Sequence, residues 1–332
     1  MKVALVGPGI IPIPPNGYGA VEKHIANLAE YLRKRGHGVT ILNKLLGEYA
    51  WGIRVGQLLR DADYDVVHSH TSFMGGYLSS FAPVQNAVYT SHSPLWFLPE
   101  LGPRERWGMM WEHRAVRYAK AVIALTQSHA DKISAATDTF PTVRVIPNGV
   151  DCQLFKPNGG RSGDRVCMVG KVVPHKQTHI VASAAYEAHA EFHIIGPTPD
   201  KTYLRQVRHA NPDAAMHEGL SEQELADLLG QMDIFVHASV AEAMSLAVLE
   251  AMASGLAVVY PPSCDEVVGG SGVRVEQPDA YKLAITMLLQ NDSYREQLGL
   301  YARQRALDLY SWDRVAELVE GVYLATLADL SS

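Results

Sequence analysis

Short apolar runs alternate along this chain with longer stretches whose apolar positions recur every three or four residues. The runs Val3–Val6, Val39–Leu42, Val66–His70, Ala87–Ser91, Ala121–Leu125 and Val143–Ile146 predict β-strands. Most are nearly continuous in apolar residues, as expected of parallel strands covered on both faces. Between the first two, Ala20–Arg35 carries Val21, Ile25, Leu28, Ala29 and Leu32 at helical spacing, and Gly36 supplies a left-handed stop. Strand, helix, parallel strand is the grammar of a doubly wound α/β sheet. It pauses at Pro157–Asp164, rich in Gly, Pro and polar residues and the best linker candidate. It then restarts with predicted strands Val166–Val169, Glu191–Ile195, Ile234–His237 and Ala257–Tyr260, and residues 278–330 read as mostly helical. The pattern therefore predicts two similar α/β domains with a cleft between them.

Length agrees: 332 residues suit two domains of ~150 rather than one core. No apolar stretch reaches the ~18 residues of a membrane span. The apolar start Val3–Val6 stops at Gly7-Pro8, too soon for a signal-peptide core. The three cysteines, Cys152, Cys167 and Cys264, are odd in number and far apart. They imply neither a disulfide framework nor a zinc site, and fit a reducing compartment. A cytoplasmic location follows as an expectation. Charge is uneven: residues 1–150 hold 15 Lys+Arg and 11 Asp+Glu, a balance of +4, and the rest of the chain is at -10. A basic first half fits an anionic ligand there; chance variation of solvated surface fits as well.

Candidate chemistry lies mostly at predicted strand ends. Gly7-Pro8-Gly9 lacks the third glycine and the immediate helix of a dinucleotide site. Asn16-Gly17-Tyr18-Gly19, directly before the first helix, allows close backbone approach to an anion, or makes a plain turn. Asp61-Ala62-Asp63 has metal-motif spacing but reads as a solvated helix end. His68, His70 and His92 lack a carboxylate or Cys partner at regular spacing and are expected as polar residues, not metal ligands. Lys171 and Lys176 flank the turn after Val166–Val169, where two cations suit a diphosphate or are surface lysines. In Glu242–Gly255, Ser245 is placed to cap a helix running to about Ser254 and ended by Gly255. Its first N–H groups, at Leu246 and Ala247, are then available to a phosphate, with carboxylates before and inside the helix at Glu242 and Glu250. Pro103–Lys120 combines Arg104, Arg106, Arg114, Arg117 and Lys120 with Trp107 and Trp111. It reads as a surface for a membrane or nucleic acid, or as an amphipathic helix with Met110, Trp111 and Val116 packed inward.

Together these landmarks resemble family 4 of the retaining glycosyltransferases, which have the GT-B fold. The resemblance covers nearly the whole chain. It runs through Gly17-x-Gly19, Arg35-Gly36-His37, Asp65–His70 and Thr90-Ser91-His92. It continues through Ile146–Asp151 with Phe155-x-Pro157, Val169-Gly170-Lys171 to Lys176, Glu242-x7-Glu250 and Ser311-Trp312. It implies two Rossmann-like domains facing across a cleft. Residues 1–157 would bind acceptor, 158–311 would bind nucleotide sugar, and a C-terminal helix over 312–332 would cross back to the first domain. By position, Gly17 and Gly19 would approach the donor diphosphate and Lys171 and Lys176 would bind it. Glu250 would hold the ribose, Glu242 and residues Ala243, Met244 and Ser245 would face the donor sugar, and His92 would stand beside sugar and acceptor. The resemblance also implies metal independence, no cofactor beyond the nucleotide-sugar donor, and a hydroxyl acceptor that is a saccharide or lipid-linked saccharide; contact of the first domain with a membrane face is the reading that Pro103–Lys120 leaves open.

Three departures bear on substrate. Lys171 stands where the family normally has Arg, giving a point charge in place of a planar fork. Ala243-Met244-Ser245 stands where Gly-Phe-Gly is usual, and Ser93-Pro94 follows His92. Transfer to a small molecule or modified DNA base, a phosphorylase or epimerase reaction on the same fold, and a non-catalytic nucleotide-sugar-binding partner stay open at this point.

Overall fold

The computed structural model describes residues 1–15, 19–46, 48–60, 62–81, 86–98, 100–136, 142–240 and 242–328, with backbone alone at 48, 49, 60 and 79–81. The chain forms two compact units, Met1–Asn148 with Trp312–Ser332, and Gly149–Ser311.

The first unit holds strands β1 (Lys2–Val6), β2 (Gly38–Leu42), β3 (Val66–Ser69), β4 (Ala87–Thr90), β5 (Ala121–Ala124) and β6 (Thr142–Val145). Its helices are α1 (Ala20–Lys34), α2 (Glu48–Arg60), α3 (Ser72–Phe81), α4 (Pro103–Tyr118) and α5 (Gln127–Ala135). All pairings are parallel, in the order β2-β1-β3-β4-β5-β6. One face buries Val3, Leu5 and Val66 against Ile25, Leu28, Ala29 and Leu32 of α1. The other buries Ala4, Val6 and Val67 against Trp51, Val55, Phe73, Met74 and Leu78 of α2 and α3. Two covered faces explain why these strands are apolar at every position rather than at alternate ones.

The second unit holds β7 (Arg165–Val169), β8 (Glu191–Ile195), β9 (Ala215–His217), β10 (Ile234–Val236), β11 (Ala257–Tyr260) and β12 (Gly272–Arg274). Its helices are α6 (Thr178–Glu187), α7 (Lys201–Ala210), α8 (Glu222–Gln231), α9 (Leu246–Ala253), α10 (Asp265–Val268), α11 (Ala280–Gln290) and α12 (Asp292–Tyr310). The sheet order is β12-β11-β10-β7-β8-β9, again parallel. Helices α6, α7 and α11 cover one face. Strands β9 and β12 are additions to the sequence pattern. Each has three residues, sits at a sheet edge and is only partly covered, so neither needs the apolar run that marks a central strand.

The last helix, α13 (Trp312–Ala328), belongs to the first unit. Trp312, Val315, Ala316, Val319 and Tyr323 share one core with β1 and α1. A large apolar side chain buried in this way contributes about 1.5–3 kcal/mol, so α13 is part of that core and not an appendage. Arg35 and His37, at the end of α1, both reach Glu320. The polar segment 157–164 is tied down within the second unit: Arg161 donates to the carbonyls of Ser254 and Gly255, and Asn158 to that of Asp227.

Two expectations about single residues fail. Ser245 occupies the N-cap of α9 with extended backbone, but its hydroxyl makes no capping bond. The side chain is buried, and only the geometry of the position is supplied. Met110 is 47 % exposed on α4 rather than packed inward, whereas Val116 is fully buried. The buried stripe of α4 runs through Glu112, Ala115 and Val116, on the opposite face of the helix from Met110.

Candidate functional site

Where the strand order of an open parallel sheet reverses, the C-terminal strand ends open a crevice in which ligands sit. The reversal falls between β1 and β3 in the first unit and between β7 and β10 in the second. Both groups of candidate residues lie at these points.

In the second unit, β7 leads into Gly170, whose φ of +142° turns the chain toward Lys171. Gly196, at the end of β8, packs so closely that a Cβ there would lie 2.2 Å from the Gly170 carbonyl oxygen. Side chains are excluded at Gly196 so that the turn can sit against β8. The chain then makes a short 3-10 turn, Pro174–Lys176. The N–H of Val240, past the end of β10, donates to the His175 carbonyl at 3.0 Å and holds the two loops together. That contact brings Lys176 and Glu242, 66 residues apart, into a hydrogen-bonded ion pair with side chains 17 % and 18 % exposed. Burial pushes the Glu242 carboxyl up, but Lys176, His237 and the Ser239 hydroxyl together outweigh it and leave it below the ordinary value. His237 Nε2 lies 3.9 Å from the same carboxylate oxygen. Its ring is fully buried, neither nitrogen has a hydrogen-bond partner among the described residues, and burial pushes its pKa down to about 4.

From Glu242 the chain runs through Ala243, Met244 and Ser245, all buried, into the first turn of α9 at Leu246 and Ala247, which are half-buried. With no side-chain cap at Ser245, the first N–H groups of α9 carry the partial positive charge of a helix N-terminus directly beside the Glu242 loop. Glu250 follows on the same helix and is buried. Lys171 is half-buried and acts on His175, the neighbour of Lys176. This unit therefore gathers two lysines, a helix N-terminus and a carboxylate around one strand crossover.

In the first unit the site is built from imidazoles. His68 ends deep in the sheet, with Nδ1 2.7 Å from the Tyr323 hydroxyl of α13 and Nε2 2.7 Å from Thr90 Oγ1. His70 Nδ1 is 3.3 Å from His92 Nε2. His24 of α1 packs edge-on against His92 at 4.8 Å and against Trp312 at 5.2 Å, and its side chain bonds Asn148. His24 Nδ1 and His70 Nε2 have no partner among the described residues. Burial lowers all four rings: His24 to about 4, His68 to about 3, and His70 and His92 well below the ordinary value. At neutral pH the cluster is uncharged and presents single donors and acceptors, which suits hydroxyl groups. One nitrogen from each of His24, His70 and His92 lies within 4.8 Å of the others. Neighbouring ligands of a tetrahedral zinc with bonds of ~2.0–2.1 Å stand ~3.4 Å apart, close to the 3.3 Å between His70 and His92, so the three rings form a group that could hold a metal ion.

Gly19, Asp63, His68, His70 and His92 belong to the first unit, and Lys171, Lys176, Glu242, Ala243, Met244, Ser245, Leu246, Ala247 and Glu250 to the second; Gly17 and Asp61 lie outside the described residues. Gly19 has φ +147°, and a Cβ there would meet Ile11 at 2.6 Å, so the turn into α1 requires glycine. Asp63 is exposed and pairs with Lys2 at 2.8 Å. Three contributors escaped the sequence pattern. His24 sits inside the apolar stripe of α1, one position from Ile25. His237 ends an apolar strand and looks like its continuation. Glu112 of α4, amid basic residues, is buried and accepts from Tyr89 Oη at 2.7 Å, Ser91 Oγ at 2.9 Å and Trp96 Nε1 at 3.0 Å. Ser91 and Trp96 flank His92, so Glu112 anchors the segment that carries it. An i, i+4 scan of α1 reaches His24 from Leu28; nothing local points to Glu112.

Comparison with known proteins agrees with this architecture. The model of Glycosyltransferase Family 4 matches residues 41–154, and that of Glycosyl transferases group 1 matches residues 163–291. The MMP alpha-(1->4)-mannosyltransferase of Mycolicibacterium hassiacum is 28 % identical over 307 residues, covering 82 % of this chain and 73 % of that protein. Among solved structures, sucrose-phosphate synthase from Thermosynechococcus elongatus superposes with a TM-score of 0.83 at 16 % identity over 99 % of both chains. Anabaena HepE, solved with UDP and glucose, superposes with a TM-score of 0.78 at 17 % identity over 98 % of this chain and 100 % of that one. Two parallel six-stranded sheets and these superpositions define the GT-B fold. The chain belongs to glycosyltransferase family 4, and it is an enzyme of the hexosyltransferase type.

Proposed function

We propose that the protein transfers a sugar from a UDP- or GDP-sugar to a hydroxyl acceptor with retention at the anomeric carbon, without a metal ion. The observation that carries this is the Lys176–Glu242 pair beside the uncapped start of α9 at the β7–β10 crossover. Breaking the anomeric C–O bond leaves charge on a nucleoside diphosphate. Lys171, Lys176 and the N–H groups at Leu246 and Ala247 would stabilise that charge from fixed positions, with no reorganisation at the moment of reaction. Glu250 would hold the ribose diol. Glu242, with Ala243, Met244 and Ser245, would face the sugar. Retention then fits attack from the face of the departing phosphate, whose oxygen takes the acceptor's proton, so Glu242 need not become a covalent nucleophile. The neutral histidine cluster around His92 suits polyol hydroxyls, which favours a saccharide acceptor. Donors bound to relatives support the nucleotide class: HepE was solved with UDP.

The exposed face of α4 gives the acceptor reading a second support. Trp107 is 41 %, Met110 47 % and Tyr118 49 % exposed, next to exposed Arg104, Arg106 and Arg117. Aromatic and basic residues on one helix suit an anionic membrane face and a lipid-linked saccharide. No described helix is long and apolar enough to cross a membrane.

A thermal-shift panel of UDP, GDP, ADP and their sugars tests the donor assignment. A ligand at ~100 times its dissociation constant should stabilise by ~2.7 kcal/mol. Absence of a shift with every nucleotide would remove the basis of the proposal.

A further inference from the structure

In the second unit one ammonium has two tasks. Lys176 neutralises Glu242 in the free protein, and under the proposed function, on which this inference rests, it binds the donor diphosphate. A lysine that turns toward a diphosphate leaves a carboxylate of 18 % side-chain exposure without its cation. Among the described residues His237 Nε2 lies 3.9 Å from that carboxylate, fully buried and with both ring nitrogens unpartnered. A buried imidazole with no partner is an unusual expense unless a second state uses it.

We infer that donor binding is coupled to uptake of one proton, taken from solvent through Glu242 and held on His237 Nε2, so that an imidazolium replaces the ammonium beside Glu242. The groups around His237 favour this exchange. Glu242 draws a proton toward the ring and Lys176 repels it, so departure of Lys176 removes the repulsion and leaves the attraction. Two negative charges on the arriving diphosphate add to it. His175, which shares its turn with Lys176, senses the same two charges. Cys264, the other titratable group acted on by Glu242 and Lys176, is held as a neutral thiol, since burial raises it to about 12. Tyr281, on α11, donates its hydroxyl to the His237 backbone carbonyl at 3.1 Å, and Ser239 bonds Glu242 without a charge of its own. A ring at about 4 is unprotonated in the free protein at pH 6. The exchange has to overcome burial, the largest influence holding the ring down; returned to an ordinary value near ~6.5, it would carry about three-quarters of a proton there. Donor affinity should then tighten about fourfold between pH 7.5 and pH 6.

The test is calorimetric titration with UDP-glucose and GDP-mannose at pH 6 in two buffers of different ionisation enthalpy. These diphosphate diesters carry no phosphate group that titrates near neutrality, so proton exchange reports the protein. The wild type should take up about three-quarters of a proton, and His237→Asn and Glu242→Gln should each bind with none. Binding heats independent of buffer in the wild type would overturn the coupling while leaving the donor site standing. Undiminished uptake in His237→Asn would assign the proton to another group, Glu242 itself first. If His237→Asn does not fold, His237→Gln takes its place, because it too removes the titrating ring and keeps Glu242. If neither nucleotide sugar binds, the proposed function falls and this inference with it.

Discussion

The two units share a parallel six-stranded sheet and place polar residues at the same topological point, yet they solve opposite problems. The second unit concentrates full charges, Lys171, Lys176 and Glu242, beside a helix N-terminus. The first collects four imidazoles and keeps them neutral by burial. Under the proposed function one crossover serves a leaving anion and the other hydroxyl groups. Fold and strand order do not decide this difference. It comes from which few side chains end the strands, and it can be broken one side at a time.

The largest expected effect is on the charged side. Lys176→Met should lower kcat by ~10²–10³, the scale seen when one fixed donor to a developing anion is removed, while leaving the first unit folded. Steady-state kinetics with the donor found by thermal shift measures it. On the neutral side, Glu112→Ala deprives Tyr89, Ser91 and Trp96 of their shared acceptor. At 1–3 kcal/mol for a buried donor left unsatisfied, and with partial relaxation, a loss of about 3 kcal/mol is expected by denaturant unfolding. Nucleotide binding by the second unit should survive in the fraction that stays folded.

Acid should also separate the units. His24 has a folded value lowered to about 4 from 6.5, so the unfolded chain binds more protons between these values and stability falls as pH drops through that window. His24 alone costs about 2 kcal/mol between pH 7.5 and pH 5, and His68, His70 and His92 act in the same direction. All five tryptophans, Trp51, Trp96, Trp107, Trp111 and Trp312, lie in the first unit. Intrinsic fluorescence therefore follows that unit, and its unfolding midpoint should fall steeply below pH 6. A midpoint flat down to pH 4.5 would contradict the neutral cluster. The smallest effect is at the surface: Glu320→Ala, which removes the partner of Arg35 and His37, should cost below about 1 kcal/mol in the same unfolding measurement.

Much of this organisation is readable in the amino-acid order. Central strands show as continuous apolar runs because both faces are covered, and α1 shows as a stripe because one face is. The Lys171, Lys176 and Glu242–Glu250 landmarks lie at strand and helix ends that the same pattern locates. What escaped has a common cause. Strands β9 and β12 are edge strands with too little covered surface to leave a period. His24 and His237 occupy positions where an apolar residue would fit the pattern equally well. Glu112 depends on three donors from 16 to 23 residues away. The missing bond at Ser245 shows the converse: sequence located the cap, but the orientation of a buried hydroxyl is settled by packing.

The placement of α13 has a consequence in time. The first unit's core includes Trp312, Val315, Val319 and Tyr323, and His68 completes its bonding with Tyr323. A ribosome therefore releases about 160 residues of the second unit before the first has all the side chains of its own core. The unit made first is finished last. During synthesis α1 and β1 must wait with an uncovered apolar face, and the second unit can fold in the interval. A chain stalled before Trp312 would emerge with the second unit complete and the histidine cluster of the first still unmade.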